Sequence, residues 1–599
     1  MSLDLSKRLR VQTRKVVEFF DGRVKSLQDR RDLVPLFKNL DSKRCVEAAR
    51  KIIGEGEWSA VGVDGSMDYD EHLDLLLFYV YATGYRCRFT VGREGVSMDV
   101  KGAVRDMQLS ASAAIPLWME DLLNVSQDVS VSFEYEVRRA AETIPISVMT
   151  MAEISLALKA VENPEVKLLL LDRPLSGTYP SLSKSLRTVL GRRSSALTSI
   201  ETGRGRVTLL DLWVAGILGP GDLYVPPRYP YRAYALVKAL IERRELSKDE
   251  ARSILNVDEN GLKKVLSYVR RRENELGGEV FEEYGDTLKV SKCILGYWDR
   301  VYEASTFVSN RMFKGVDYPL KIGDLWLTAQ DINMVNLFLL YELIRRAKTR
   351  GVLLVGIAKD TEASEILRSV VPYMVDRGLI APKSPIPAIR SNRGFLSLVS
   401  SLNYRLIETP WRTPCYDSCF TTLVYTRSEG FKPARKVVSR EALFIRVNFQ
   451  LRSLKTDGAV RSMVFMYDRP FDPVYDRLGE PLKIAHSSEL VVRPVFEGVD
   501  GSPLDDLILY LLSLMDNPEV LEAYGYNQLL YLADKAVKTE VKLMKSSLRA
   551  VAELELAPLA SRRRMFTFRS YRELRRILEA GRRLGGRHRL EKLYGLYSA

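Results

Sequence analysis

The feature that most restricts the fold of this chain is the hexapeptide Val166–Leu171, Val-Lys-Leu-Leu-Leu-Leu, closed by Asp172. A run this short and this apolar, stopped by a carboxylate, reads as a buried strand. Upstream, residues 58–64 (Trp-Ser-Ala-Val-Gly-Val-Asp) give a second strand signal closing on an aspartate, Asp64, with a turn expected at Gly65-Ser66. Residues 73–81 and 85–91 read as two strands joined through Ala82-Thr83-Gly84, with 96–100 as a third partner. Helical sequence runs from about 134 to 160, with a break expected at Pro145.

An antiparallel three-strand meander, a helix and a further strand is the order in which RNase H-like α/β folds begin, and acidic residues of that fold sit on the first strand, the helix and the end of the later strand. Residues 1–57 read as a helical N-terminal region from Val16, Val17, Phe19, Phe20, Leu33, Leu36 and Leu40. After about 320, strand signals resume at 351–358, running into Lys359. Residues 442–454 and 462–467 alternate like paired strands, and 504–515 and 528–550 are helical.

The stretch 226–295 has a different rhythm. A helix at Tyr231–Arg243 is followed by Ser247-Lys-Asp-Glu250, a capping box that opens a second helix. Asn256-Val-Asp258 makes a turn, 259–271 a third helix, and 280–284 with 287–290 two short strands around Gly285-Asp286. Helix, turn, recognition helix and wing is a winged-helix-like pattern. Lys263, Lys264, Arg270, Arg271 and Arg272 give its third helix a basic character suited to nucleic acid. Such modules serve as docking scaffolds as often as DNA readers.

With 599 residues the chain is long enough for three or four domains, and 46% hydrophobic with 28% charged residues marks a folded rather than a disordered protein. No apolar run reads as a membrane span, the best being 73–81 and 507–515, and the charged N-terminus lacks a signal peptide's apolar stretch, so a cytoplasmic location is expected. The five cysteines at 45, 87, 293, 415 and 419 do not complete a zinc site and read as buried thiols. High charge with few Gln and three His fits a heat-stable protein. Residues 561–599 carry twelve Lys or Arg against three Asp or Glu, interleaved with Phe566, Phe568 and Tyr571, a composition that favours a polyanion; Arg562, Arg563 and Arg564 are the densest cluster.

Three histidines, at 72, 486 and 588, leave little room for a Ser-His-Asp triad or a histidine-rich metal site, and there is no P-loop or dinucleotide fingerprint. What remains is carboxylates at strand ends and on a helix: Asp64, Glu153 and Asp172. Each alone is ordinary, an aspartate before glycine being most often a turn residue and a helical glutamate a solvated one. Converging from different elements, they suit Mg²⁺ or Mn²⁺ and two-ion phosphodiester chemistry.

In its motifs the chain resembles the NurA family of DNA repair nucleases. Asp64-Gly65-Ser66 matches the family's opening strand end. Glu153 and Asp172 match the helical glutamate and later strand-end aspartate. Gly356-Ile-Ala-Lys359 is similar to its Gly-Val-x-Lys, and Tyr524-Gly-Tyr526 followed by Ala533-Asp534 to its C-terminal tyrosine and helix motif. The motifs stand in the family's order over about 61–540. Here Arg173-Pro174 replaces the usual Gly-Ser, Asp534 stands where His is an alternative, and Glu142 or Glu136 is a rival to Glu153.

The resemblance implies an RNase H-like core, here in two parts, 58–225 and 296–550; the winged-helix-like insert at 226–295, which short members of the family lack, the helical N- and C-terminal extensions and the basic tail at 551–599 are read from the residues themselves. It implies metal, Mn²⁺ or Mg²⁺, held by Asp64, Glu153, Asp172 and Asp534, with Lys359 and Tyr526 placing the scissile phosphate or the water. It further implies a homodimer docked on a HerA-type hexameric ATPase, acting on DNA as a single-strand endonuclease and 5′-to-3′ exonuclease in end resection. Two other readings remain: an adaptor of the same descent that binds DNA for an ATPase without cutting it, and a winged-helix regulator on an unrelated scaffold.

Overall fold

The computed structural model describes residues 2–561 apart from 73–74, 119–120, 122–132, 227–229, 316, 360, 435–442, 454–460, 486–490, 499–500, 518 and 521–523. Arg562, Arg563, Arg564 and the rest of the basic tail lie outside the described residues.

A mixed eleven-stranded sheet forms the centre. Its strands in chain order are β1 (Lys38–Asn39), β2 (Gly56–His72), β3 (Leu75–Val91), β4 (Val96–Met98), β5 (Val104–Trp118), β6 (Val166–Leu171), β7 (Leu353–Ala358), β8 (Trp411–Arg412), β9 (Tyr416–Asp417), β10 (Phe444–Gln450) and β11 (Phe465–Pro470). They lie in the order β1-β8-β10-β11-β7-β6-β2-β3-β4, with β9 also on β10 and β5 also on β3. β6 is parallel to both its neighbours, β2 and β7, which explains its unbroken apolar sequence: both faces and both edges are covered. β7 pairs antiparallel with β11, and β11 with β10, as the alternation in that region suggests.

Three details differ from the sequence reading. There is no turn at Gly65-Ser66: β2 runs through Asp64 to His72, and β3 pairs with it over its whole length. Ala82-Thr83-Gly84 is likewise inside β3, held between β2 and β5, and the register with β5 slips between Thr83 and Gly84. A local slip of this kind needs a small residue, so the sequence looks like a turn while the strand continues. Third, Pro145 does not break its helix.

That helix, α1 (Phe133–Glu162), covers one face of the sheet, joined by α2 (Leu175–Arg192) and α3 (Ala329–Thr349). Val61, Val63, Leu169 and Leu171 point into this layer, against Val148, Met151 and Ala152. Its segment Thr143–Glu162 is long and apolar enough to cross a bilayer by length and composition, which the sequence reading overlooked; 78% of that window is buried inside the molecule. The opposite face presents Ala60, Leu168, Leu170, Val355 and Ile357 to α4 (Pro503–Leu514) and to the start of α5 (Gln528–Ser561).

The stretch 231–290 folds as helices Tyr231–Arg243, Lys248–Leu255 and Glu259–Leu276 with a three-stranded antiparallel sheet of Glu245–Ser247, Phe281–Tyr284 and Thr287–Val290. The capping box is formed, Ser247 accepting from the Glu250 N–H while the Glu250 carboxylate accepts from the Ser247 N–H. Its apolar side chains belong to the same cluster as α1 and α3. Of the cysteines, 45, 87, 415 and 419 are buried as expected, and Cys293 is exposed.

Candidate metal centre

Parallel pairing dictates the first two groups. Val63 pairs with Leu171, so Asp64 and Asp172 follow side by side, and the Asp172 N–H donates to the Val63 carbonyl at 3.2 Å. On the other side of β6, Gly356 pairs with Leu171, which brings Lys359, just past the end of β7, to the same end of the sheet. Pleating sends alternate side chains to opposite faces. Ala60, Leu168, Leu170, Val355 and Ile357 face α5, so Asp64, Asp172 and Lys359, in phase with them, face α5 too.

α5 supplies the fourth group. It settles onto β2 because Gly62 leaves room: a Cβ there would stand 2.8 Å from Leu529 Cβ. One turn on, Asp534 completes a group in which one carboxylate oxygen each from Asp64, Asp172 and Asp534 lies within 4.8 Å of the others. The Lys359 ammonium sits among them, ion-paired to Asp172 and 3.7 Å from Asp534. Tyr526, just before α5, donates its hydroxyl to Asp172 at 3.3 Å, and its ring lies under the Lys359 ammonium, 4.8 Å away. Lys538 closes the outer side, 2.8 Å from Asp534.

The electrostatics follow from burial and like charge. Asp64 is 5% exposed. Burial first, then Asp172 and Glu153, push its carboxyl up to about 9. For Lys359, burial acts to lower the ammonium, but the carboxylates of Asp172, Asp534 and Asp64 outweigh it and hold the group above its ordinary value. Burial and the same carboxylates raise the Tyr526 phenol well above its usual range. The site therefore favours a proton or a cation among its carboxylates, and the lysine occupies part of a cation's place.

Glu153, expected among the ligands, stands behind Asp64. It is buried on α1, on the far face of β2, against Gly65, and is outside the three-carboxylate group. Its carboxylate pairs with Arg173, whose Nη1 also donates to Thr150 Oγ1 at 2.7 Å. Burial raises the Glu153 carboxyl and Arg173 opposes that. Glu136 and Glu142 lie earlier on α1, with side chains outside the described residues.

Arg173 thus has a partner that sequence reasoning missed, although its place directly after Asp172 was a usable signal. Asp468 was missed as well. It is buried on β11 and accepts from the Leu175 and Ser176 N–H groups, both at 2.8 Å, at the start of α2. The segment 172–176 is therefore pinned from two sides. Nothing local to Asp468 signals this, because its partners lie 292 and 293 residues away.

The basic residues expected to meet nucleic acid in the winged-helix-like stretch are elsewhere and largely paired. Lys263 reaches Glu259 at 2.8 Å, Arg270 reaches Glu273 at 3.0 Å and Arg272 reaches Glu275 at 2.6 Å; Arg271 is 4.0 Å from Glu275, and Lys264 is exposed.

No family model and no curated protein matches the sequence. Among solved structures, the chain is similar to the NurA nuclease from Sulfolobus solfataricus at 12% identity and a TM-score of 0.37, over 91% of this chain and 97% of that one. A NurA structure with manganese follows at 13% identity and 0.34, over 90% and 97%. A NurA structure bound to dAMP and manganese follows at 12% and 0.32, over 82% and 88%. At these scores and identities the likenesses carry no functional argument.

Proposed function

We propose that this chain is a divalent-metal-dependent nuclease, a phosphodiester hydrolase of the NurA kind with an RNase H-like core. The observation that carries the reading is the convergence of Asp64, Asp172 and Asp534, from two strands and a helix, around a site that already attracts a cation. The donor set fits the ion: three carboxylates and no thiol or imidazole suit Mn²⁺ or Mg²⁺. Asp64, Asp172 and Asp534 would hold it, and when bound such an ion polarises a phosphoryl oxygen and makes water a better nucleophile. Glu153 acts on this reading as a positioning residue, through Arg173, on the segment that carries Asp172.

The remaining machinery comes from the chain itself. Lys359 offers a half-buried ammonium to a non-bridging phosphate oxygen, where negative charge grows in the transition state. The Tyr526 hydroxyl, held against Asp172, orients whatever oxygen approaches that carboxylate. Burial of Asp64 and Tyr526 excludes bulk water from one side of the site.

Finer elements of the proposal rest on motif resemblance. They are single-strand endonuclease and 5′-to-3′ exonuclease action on DNA, a role in end resection, homodimerisation, and docking to a HerA-type hexameric ATPase. The segment 226–295 is proposed as a winged-helix-like module. The test is cleavage of labelled single- and double-stranded DNA in EDTA, Mg²⁺ and Mn²⁺ by the wild type and Asp64→Ala. Metal-dependent cutting lost in the variant supports the proposal. DNA binding with no cutting in either metal would instead favour a non-cutting adaptor.

A further inference from the structure

α5 does more than deliver Asp534. Between 535 and 549 it carries Lys535, Lys538, Lys542, Lys545 and Arg549 against a single acid, Glu540. At about 100° per residue, Asp534, Lys538, Lys542, Lys545 and Arg549 fall within a sector of about 80°, and Lys535 lies about 20° beyond it. The buried side of the same helix is Val537, Val541, Met544 and Leu548, packed on Tyr79 and Tyr81 of β3. The basic residues therefore share one flank. Glu540 lies on the other, held at 2.8 Å by Arg105 of β5.

Lys535, Lys538, Lys542 and Arg549 are exposed. Lys545 is half-buried, at 2.7 Å from Asp68 and 3.6 Å from Asp70 on β2. Those two carboxylates fix the position of the inner lysine, and the outer basic residues lie exposed along the same flank. The row begins at the carboxylate group itself, since Lys538 touches Asp534. It extends about 22 Å, at about 1.5 Å per residue. At roughly 3.4 Å per nucleotide of a stacked strand, that is space for about six phosphates.

A solvated helix face would scatter both signs around its circumference. Segregation of one sign to one flank, continuous with a phosphodiester-sized site, is what a backbone track requires. We infer that the basic flank of α5, from Lys535 to Arg549, is the track on which a single nucleic acid strand lies as it enters or leaves the carboxylate centre. It rests on the proposed nuclease reading for its direction but not for its ligand: phosphate contacts without base contacts bind any sequence.

The test measures binding, in EDTA, so that cutting does not enter. The affinity of the full chain for a labelled single-stranded oligonucleotide is followed between about 50 and about 200 mM salt. The triple variant Lys535→Gln, Lys542→Gln, Arg549→Gln is compared with a charge-matched variant on the exposed N-terminal helix Ser2–Lys25, Arg8→Gln, Arg14→Gln, Lys15→Gln. Each lost phosphate contact lowers the log–log salt slope by about 0.7 for single strands, so the α5 variant loses about 2 in slope while the control keeps the wild-type value. Equal slopes for wild type and α5 variant, or an equal loss in the control, overturn the track. Absence of metal-dependent cutting by the wild type would sink the nuclease reading separately, leaving the slope result standing.

Discussion

Gly65 and Glu153 occupy the same space from opposite sides of a contact: a Cβ on Gly65 would lie 2.7 Å from Glu153 Oε1 and 3.0 Å from Met149 Cγ. The glycine lets a buried carboxylate approach β2 one residue after Asp64. Gly65→Ala should therefore displace Glu153 from Arg173 and loosen the segment that carries Asp172. Overpacking of this kind costs about 1–3 kcal/mol. The expected result in urea unfolding is a lower midpoint with unchanged m-value, together with a loss of cleavage larger than the stability change alone accounts for. An unchanged midpoint would show that the contact relaxes freely.

The pH dependence of metal-free stability follows from Asp64. Its carboxyl stands at about 9 against an ordinary 3.8. A carboxyl raised in the folded state supports folding fully below its unfolded value and withdraws that support as pH rises through the folded value. In EDTA, the denaturation midpoint of the wild type should fall between pH of about 4 and about 9. Asp64→Asn, which cannot ionise there, should flatten that fall and be the more stable protein at the alkaline end. A variant with the wild-type slope would mean that the charge is accommodated without cost.

Lys359 competes with the ion for Asp172. Removing it as Lys359→Met leaves the carboxylates uncompensated in the metal-free protein, so its thermal midpoint in EDTA should drop. The same change frees the site, so the Mn²⁺-induced rise in midpoint should exceed that of the wild type. Cleavage should nonetheless fall by about 10²-fold or more, because a preorganised cation is lost from the transition state. Cleavage at the wild-type rate would remove Lys359 from the mechanism.

The legible part of this site is the part written in consecutive residues. Asp64, Asp172 and Lys359 each follow an apolar run, and three parallel neighbours in register must bring such positions together. Asp534 is different: it sits 362 residues beyond Asp172 on an unremarkable helix, and only the motif order pointed to it. Residues 104–118 went unread as a strand because Ser110-Ala-Ser-Ala-Ala114 lacks branched and aromatic side chains. With that strand and the continuation of β2 past Asp64 both unread, Thr83-Gly84 looked like a turn. Glu153 was placed on the correct helix, but its partner Arg173 went unseen, since helical periodicity does not say which face of a sheet the helix covers.

Least visible of all in sequence is the ion network toward the β1 edge of the sheet, and it gives the sharpest stability prediction. Arg412 on β8 is 1% exposed and makes paired hydrogen bonds to Glu497, at 2.5 and 2.8 Å, and one to Asp506 of α4 at 2.7 Å. Its partners lie 85 and 94 residues away, so no local pattern announces them. Removing one member of a buried pair strands the other charge, at a cost of about 3–5 kcal/mol. Arg412→Ala should lower the unfolding midpoint severely, whereas Arg412→Met with Glu497→Gln should recover much of the loss by removing both charges together. Because the network shares no residue with the carboxylate centre, the double variant should keep the metal-dependent rise in midpoint. If Arg412→Ala alone is as stable as the wild type, neither the charge of the network nor the volume of this side chain contributes to folding.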